Sequence, residues 1–226
     1  MVINSPTEKS NRILTPTLSK PKAGKVVRRL KPGSYLFRAG DEANRVYQVV
    51  SGVLRLTCVL KNGHRQVIAF SFPGDFVGFS NGTEHSTECD VLETARVIPH
   101  RWGALDNGTL DRAMHQQLMQ AALREIMNMQ EHLVMVGGKT SVARIASFLS
   151  VLAERLGEPF GQYTKVTLPM SRSDIAGFLG LSTETVSRAI SQICTDNLVA
   201  RENANALVIL KPAALKALAG GGFEGL

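Results

Sequence analysis

The sequence is short of the features that mark several large classes of protein. It holds only three cysteines, Cys58, Cys89 and Cys194, odd in number and widely spaced, so a disulfide framework is not expected. None of them belongs to a close C-x-x-C pair, which argues against a structural zinc site. No apolar run approaches the ~18 residues that a membrane span needs, and residues 1–20 lack the apolar stretch of a secretory signal. The expectation is a cytoplasmic protein with no membrane attachment. Five histidines (His64, His85, His100, His115, His132) include no H-x-H pair of the kind that metal-dependent β-roll enzymes use. Glycine-rich phosphate loops and a nucleophile elbow are missing as well. The chain therefore reads as a non-enzyme, with no catalytic residue, no metal ligand and no cofactor.

What is present points to a globular protein of two domains. At 226 residues, with 44% hydrophobic and 20% charged side chains, the chain can build two cores of ordinary size. The net charge of +7 suggests a nucleic-acid partner, but its distribution weakens that argument. Residues 1–31 carry eight Lys or Arg against Glu8 alone, residues 32–136 nine basic against eleven acidic groups, and residues 137–226 nine against seven. The excess thus sits in the first thirty-one positions, where it reads as a solvated lead-in.

Residues 1–25, rich in Ser, Thr, Pro and Lys, are expected to form a disordered basic tail. Over residues 26–109 short apolar runs alternate with glycines (Gly33, Gly40, Gly52, Gly63, Gly74, Gly82), the spacing of an all-β roll or barrel. Strands are expected at residues 46–50, 53–60 and 66–70, with Asn62-Gly63 as a type I′ hairpin turn. Over residues 110–136 the period becomes helical. Met119, Ala122, Ile126, Met129, Leu133 and Val136 alternate three and four apart, as in a seam along which two helices pair. An amphipathic helix lying on its own core would show similar periodicity. Leu118, Leu123 and Met127 form a second flank that could meet the roll. Gly137-Gly138 is expected to break the helix and open a third region, residues 137–226. There a helix from Thr140 to about Leu156 carries Val142, Ile145, Ala146, Leu149 and Leu152 on one face, and ends at Gly157 before Pro159.

The stretch SRSDIAGFLGLSTETVSRAISQ, residues 171–192, carries the function. Ser171 and Asp174 make an S-x-x-D capping box, followed by the core face Ile175, Ala176 and Leu179. Gly180 suits a left-handed turn, Leu181 plugs the angle, and Ser182 caps a second helix held by Val186 and Ile190. This is the grammar of a helix-turn-helix, whose second helix enters the major groove. On that helix Thr183, Glu184, Ser187 and Arg188 project outward. An arginine fork matches guanine O6 and N7, and a carboxylate accepts from cytosine N4. Ser171, Arg172 and Arg144 are candidate phosphate contacts, although each equally suits a cap or a surface charge. Residues 198–201 and 206–210, around the polar tip Glu202-Asn203-Ala204-Asn205, resemble a β-hairpin wing, and a short helix follows Lys211-Pro212.

In this order of elements, and above all in MSRSDIAGFLGLSTETVSRAISQI with its E-T-V-S-R core, the chain resembles the CRP/FNR transcription regulators. The segment GDFVGFSNGTEHS, residues 74–86, is similar to the FixK-like branch of that family. The resemblance implies an α+β fold: an N-terminal β-roll like the cyclic-nucleotide-binding jelly roll, a long dimerisation helix, and a C-terminal winged helix-turn-helix. It also implies a homodimer on double-stranded DNA with TTGA-type half-sites in an inverted repeat. Arg188 would read guanine, Glu184 the complementary strand, Ser187 a thymine or neighbouring base edge, and Thr183 the outer base. RNA polymerase is the further partner, in oxygen- or nitrogen-related gene control.

Members of the family differ in what the roll senses. Cyclic-AMP binders carry a Glu where Asp75 stands and an Arg-Ser pair where this chain has His85-Ser86 after Glu84, so cyclic AMP is not expected to bind. An FNR-type iron–sulfur cluster needs four thiolates, one more than the chain has. An effector-dependent regulator of the same fold remains the alternative, through haem on His64, His85 or His100, through redox control at Cys194, or through another small ligand. A cyclic-nucleotide-binding module acting on another protein would leave residues 171–210 without a purpose.

Overall fold

A computed structural model describes residues 26–101 and 112–220. The expected tail (residues 1–25), the start of the long helix and the glycine-rich end lie outside the described residues. Residues 28–101 form six antiparallel strands: β1 (Arg28–Leu30), β2 (Tyr35–Phe37), β3 (Arg45–Val59), β4 (Arg65–Ser71), β5 (Phe76–Val77) and β6 (Glu88–Arg101). Strand β3 lies between β6 and β4, and its register with β6 runs from Arg45 opposite Arg101 to Thr57 opposite Glu88. The two strands expected at 46–50 and 53–60 are therefore one long strand, kinked in the middle. Register slips around Ser51 and Val53, and Gly52 adopts a φ of +82°. A Cβ there would lie 2.4 Å from the Thr94 carbonyl oxygen, so only glycine lets the two strands approach at this bulge. Alternation along β6 sends Val91, Ala95 and Val97 into the roll's core, and the irregular registers of β2 and β3 add Leu36, Phe37, Val49 and Leu54.

The hairpin between β3 and β4 forms as expected, but its turn is not type I′. Gly63 has a positive φ and Asn62 does not. The turn is a longer loop closed by the Leu60 and His64 backbones, with Asn62 Oδ1 accepting from the His64 N–H at 3.0 Å. A side-chain acceptor has replaced the backbone geometry that Asn-Gly favours.

Helix α1 (Arg112–Gly138) follows and runs through both glycines, and the break falls at Lys139-Thr140. The glycines weaken the last turn, by about 1 kcal/mol each relative to alanine, without ending it. The face of α1 that meets the roll is Met114, Leu118 and Ala121, packed on Val46 and Phe76. Of the second flank only Leu118 is buried; Leu123 and Met127 are exposed, because the contact face is rotated from the one expected.

Helix α2 (Ser141–Leu156) is capped by the Thr140 hydroxyl and buries Ile145, Ala146, Phe148, Leu149 and Leu152. Past Gly157 the chain makes two strands that the sequence reading did not anticipate, β7 (Glu158–Phe160) and β8 (Tyr163–Thr167). They join the wing strands β9 (Val199–Asn203) and β10 (Ala206–Ile209) in a sheet of order β7-β8-β10-β9. Helices α3 (Arg172–Leu179), α4 (Thr183–Thr195) and α5 (Pro212–Leu218) complete this part. Its core is not separate from the roll. One hydrophobic cluster unites Val53, Val67, Phe70 and Phe72 of the roll with Ile145, Leu149, Ile175, Leu179, Ile190 and Leu207.

Candidate nucleic-acid interface

The two helices of the motif are fixed at each end by local chemistry. At the start of α3 the capping box is complete. Ser171 Oγ accepts from the Asp174 N–H at 3.1 Å, and Asp174 Oδ2 accepts from the Ser171 N–H at 2.9 Å. At its end Gly180 takes φ +63° and ψ +41°, a left-handed conformation open to glycine, and the Leu181 N–H returns to the Ala176 carbonyl. Ser182 then caps α4 by accepting from the Thr185 N–H at 3.1 Å. Val186, Ala189, Ile190 and Ile193 anchor α4 in the core, so its other face must point away.

That other face carries the expected base readers. Thr183, Glu184, Ser187 and Arg188 are all exposed, with the Glu184 and Arg188 side chains 71% and 79% accessible. Arg188 donates to Glu184 Oε1 at 2.5 Å, one helical turn apart. A pair this exposed adds only about 0–1 kcal/mol of stability. Its effect is to hold a donor fork and an acceptor carboxylate side by side on the helix surface. Ser187 Oγ donates to the Thr183 carbonyl at 2.9 Å, which leaves its lone pairs outward.

The three candidate phosphate contacts have protein partners. Ser171 belongs to the capping box. Arg172 donates to the Ala204 carbonyl at the wing tip, 3.2 Å away, and burial together with the like charge of Arg201 lowers its pKa. Arg144 donates to the Lys139 and Leu179 carbonyls, both at 3.0 Å, and so ties the end of α3 to the start of α2. Arg201, exposed on the wing next to Arg172, is a cation that the sequence reading passed over. Its one available signal was its place in the strand leading to the wing tip. Cys194 is half-buried near the end of α4 and packs against the shared core.

In the roll, His85 and Asp75 both have partners within the protein. His85 is buried and stacks on Phe37, with ring centroids 3.8 Å apart and planes at 14°. Burial lowers its pKa against the opposing pull of Asp41, which favours the neutral ring. Asp75 accepts from the Phe72 N–H at 2.8 Å and from Arg155 of α2 at 2.6 Å, so it faces the DNA-binding part of the chain. Burial pushes the Cys89 thiol up, and Cys58 lies on the same roll. His64 is exposed on the hairpin loop, and His100 is buried with its ring 5.8 Å from Phe76. Among the described residues no three His, Cys, Asp or Glu side chains converge as a metal site would require. No helix among them is long and apolar enough to cross a membrane.

The long helix leaves an apolar face uncovered. Met119, Ile126, Met129 and Leu133 are each more than half exposed, while Ala122 and Val136 are half-buried. Val136 turns toward the helix-turn-helix, its Cγ1 lying 3.5 Å from where a Cβ on Gly180 would sit.

Comparison with known proteins agrees with this architecture. Residues 27–98 match the cyclic nucleotide-binding domain, and residues 143–218 match the Crp-like helix-turn-helix domain. The chain is 36% identical over 195 residues to the nitrogen fixation regulation protein FixK of Rhizobium meliloti (strain 1021), covering 86% of this chain and 87% of that protein. It is 37% identical over 201 residues to the transcriptional activator protein Anr of Pseudomonas protegens, covering 88% and 82%. Among solved structures, FixK2 from Bradyrhizobium japonicum superposes with a TM-score of 0.78 at 29% identity, covering 88% of this chain and 99% of that one. With its roll, its helix-turn-helix and its FixK relatives, the chain belongs to the CRP/FNR family of DNA-binding transcription regulators, which are not enzymes.

Proposed function

We propose that the protein binds DNA as a homodimer, on an inverted repeat with TTGA-like half-sites, without cyclic AMP or an iron–sulfur cluster. The observation that carries this reading is the exposed Glu184–Arg188 pair on a helix capped at its start and packed along its opposite face. Arg188 reads guanine, Glu184 accepts from a base of the complementary strand, Ser187 contacts a thymine or neighbouring edge, and Thr183 tunes the outer base. Two chains pair along the Met119–Val136 seam, which removes its exposed apolar side chains from water. That pairing sets the two recognition helices about one helical turn, ~34 Å, apart. Ser171 and Arg172 sit at the mouth of the motif, where their backbone and side chains can meet phosphates. Arg144 acts behind them, by holding the end of α3.

The neutral, stacked His85 cannot grip a cyclic phosphate as a bidentate arginine does, and Asp75 is committed to Arg155. The same reading places the protein in the cytoplasm, in control of oxygen- or nitrogen-related genes through RNA polymerase; the relatives named as a nitrogen fixation regulation protein and a transcriptional activator support the nitrogen-related and regulatory parts of it. Mobility shift with an inverted TTGA repeat, with and without cyclic AMP, tests the reading. Binding should be tight and unchanged by cyclic AMP. Arg188→Ala should weaken it by about 1–3 kcal/mol and relax guanine preference at one position per half-site. Equal affinity of the variant at fixed salt would refute the assignment.

A further inference from the structure

The contact between the roll and the helix-turn-helix is built around one arginine. Arg55, on β3, donates through Nε and Nη2 to Asp90 Oδ1 and Oδ2, at 3.0 and 2.8 Å, so its guanidinium plane is fixed inside the roll. Its remaining arm, Nη1, crosses to α3 and pairs with Asp174 Oδ1. The other oxygen of the same carboxylate holds the Ser171 N–H and hydroxyl, at 2.9 and 2.7 Å. One side chain thus both closes the cap of the motif's first helix and receives the arginine of the roll. All three charges are largely shielded: 23%, 7% and 13% of the Arg55, Asp90 and Asp174 side chains is accessible. Burial alone would lower the pKa of Arg55 and raise that of Asp174. The ion pairs and the cap outweigh it in both cases, holding the arginine up and the carboxyl down.

The surrounding contacts extend the same seat. Gln66 of β4 donates to the Gly177 carbonyl on α3, and Phe70 meets Phe178 edge-on at 5.2 Å. The base-reading face of α4 stays open while α3 is seated, so holding and reading are compatible. We propose that Arg55 is a positioning residue for DNA recognition, which through Asp174 sets the angle at which α4 meets the groove. In the dimer two such seats fix the separation of the two recognition helices. This inference rests on the dimeric reading given above.

The test uses the full-length protein with Asp174→Asn, which keeps an acceptor oxygen for the Ser171 cap and leaves Arg55 on Asp90. Affinity is measured for the TTGA inverted repeat with the spacer that the wild type prefers, and with one base pair added or removed. The variant should melt slightly lower, because the carboxylate's charge supports the fold, and should keep its affinity for a single half-site. Its preference for the correct spacer should fall roughly 3- to 10-fold, the size of one lost interdomain hydrogen bond. Arg55→Gln and the double variant also lose the two Asp90 hydrogen bonds and should melt lower, but their spacer preference should fall by the same factor and no more, since each lacks the one Arg55–Asp174 contact. A general loss of folding would instead weaken every probe alike. Unchanged spacer preference in both single variants, or tighter binding by either, would overturn the proposal. If the wild type itself ignores spacer length, the dimeric reading fails and takes this inference with it.

Discussion

On α4, Glu184 and Arg188 stand mostly in water and pair with each other. In the roll, Arg55, Asp75, Asp90 and His85 are each committed to a partner within the protein. The two regions descend from one sequence but spend their polar groups differently. A pair left at the surface, on a helix whose opposite face is fixed in the core, costs little to keep and is free to be recombined with base edges. Polar groups turned inward are held by partners within the protein, which is what the proposed independence of cyclic AMP rests on. Groups that meet an outside partner are left exposed on a rigid helix, and groups that join the two regions are buried and paired.

The largest effect is expected in the shared core. Leu179→Ala removes a fully buried side chain at the end of α3 and should cost about 2–5 kcal/mol, seen as a lower denaturant midpoint with loss of DNA binding. Arg188→Ala follows in size and is opposite in kind, weakening specific binding while leaving the midpoint in place. Acid should separate the regions next. Asp174 is held below the ordinary carboxylate range, so its contribution is complete above an unfolded pKa of about 4 and is lost as pH falls through the lower folded value. Burial lowers His132 and His85, so their neutral forms favour the fold above an unfolded pKa of about 6.5, and that support declines as pH drops below it. Chemical denaturation between pH 7 and 3 should therefore show two successive losses, the first shallow. Glu184→Gln is the smallest change. Stability should move by less than about 1 kcal/mol, while base preference opposite Glu184 shifts in a binding-site selection.

The helix-turn-helix was legible because its signals are local. Ser171 with Asp174, Gly180 and Ser182 each act within four residues, and each stands where the pattern placed it. The roll was legible in class but not in detail. Residues 46–60 read as two strands because a glycine interrupts them, and only the close approach of Thr94 shows that Gly52 is a bulge within one. Strands β7 and β8 escaped because one is three residues long and contains Pro159; β7 owes its form to pairing with β8, and β8 to pairing with β10 as well. On α1, periodicity gave a helix and an apolar seam but not which face the roll would take. Met114, Leu118 and Ala121 repeat as regularly as the seam residues do. Least legible was Arg55, whose partner Asp174 lies 119 positions along the chain.

The hydrophobic cluster that joins Val53, Val67, Phe70 and Phe72 to the helices beyond Gly138 has a consequence for how the molecule holds together. A segment whose core is completed by another cannot melt alone without exposing its neighbour's side chains to water. Heat or denaturant therefore meets one cooperative unit where the chain suggests two, and the reader of DNA is as durable as the roll on which it rests.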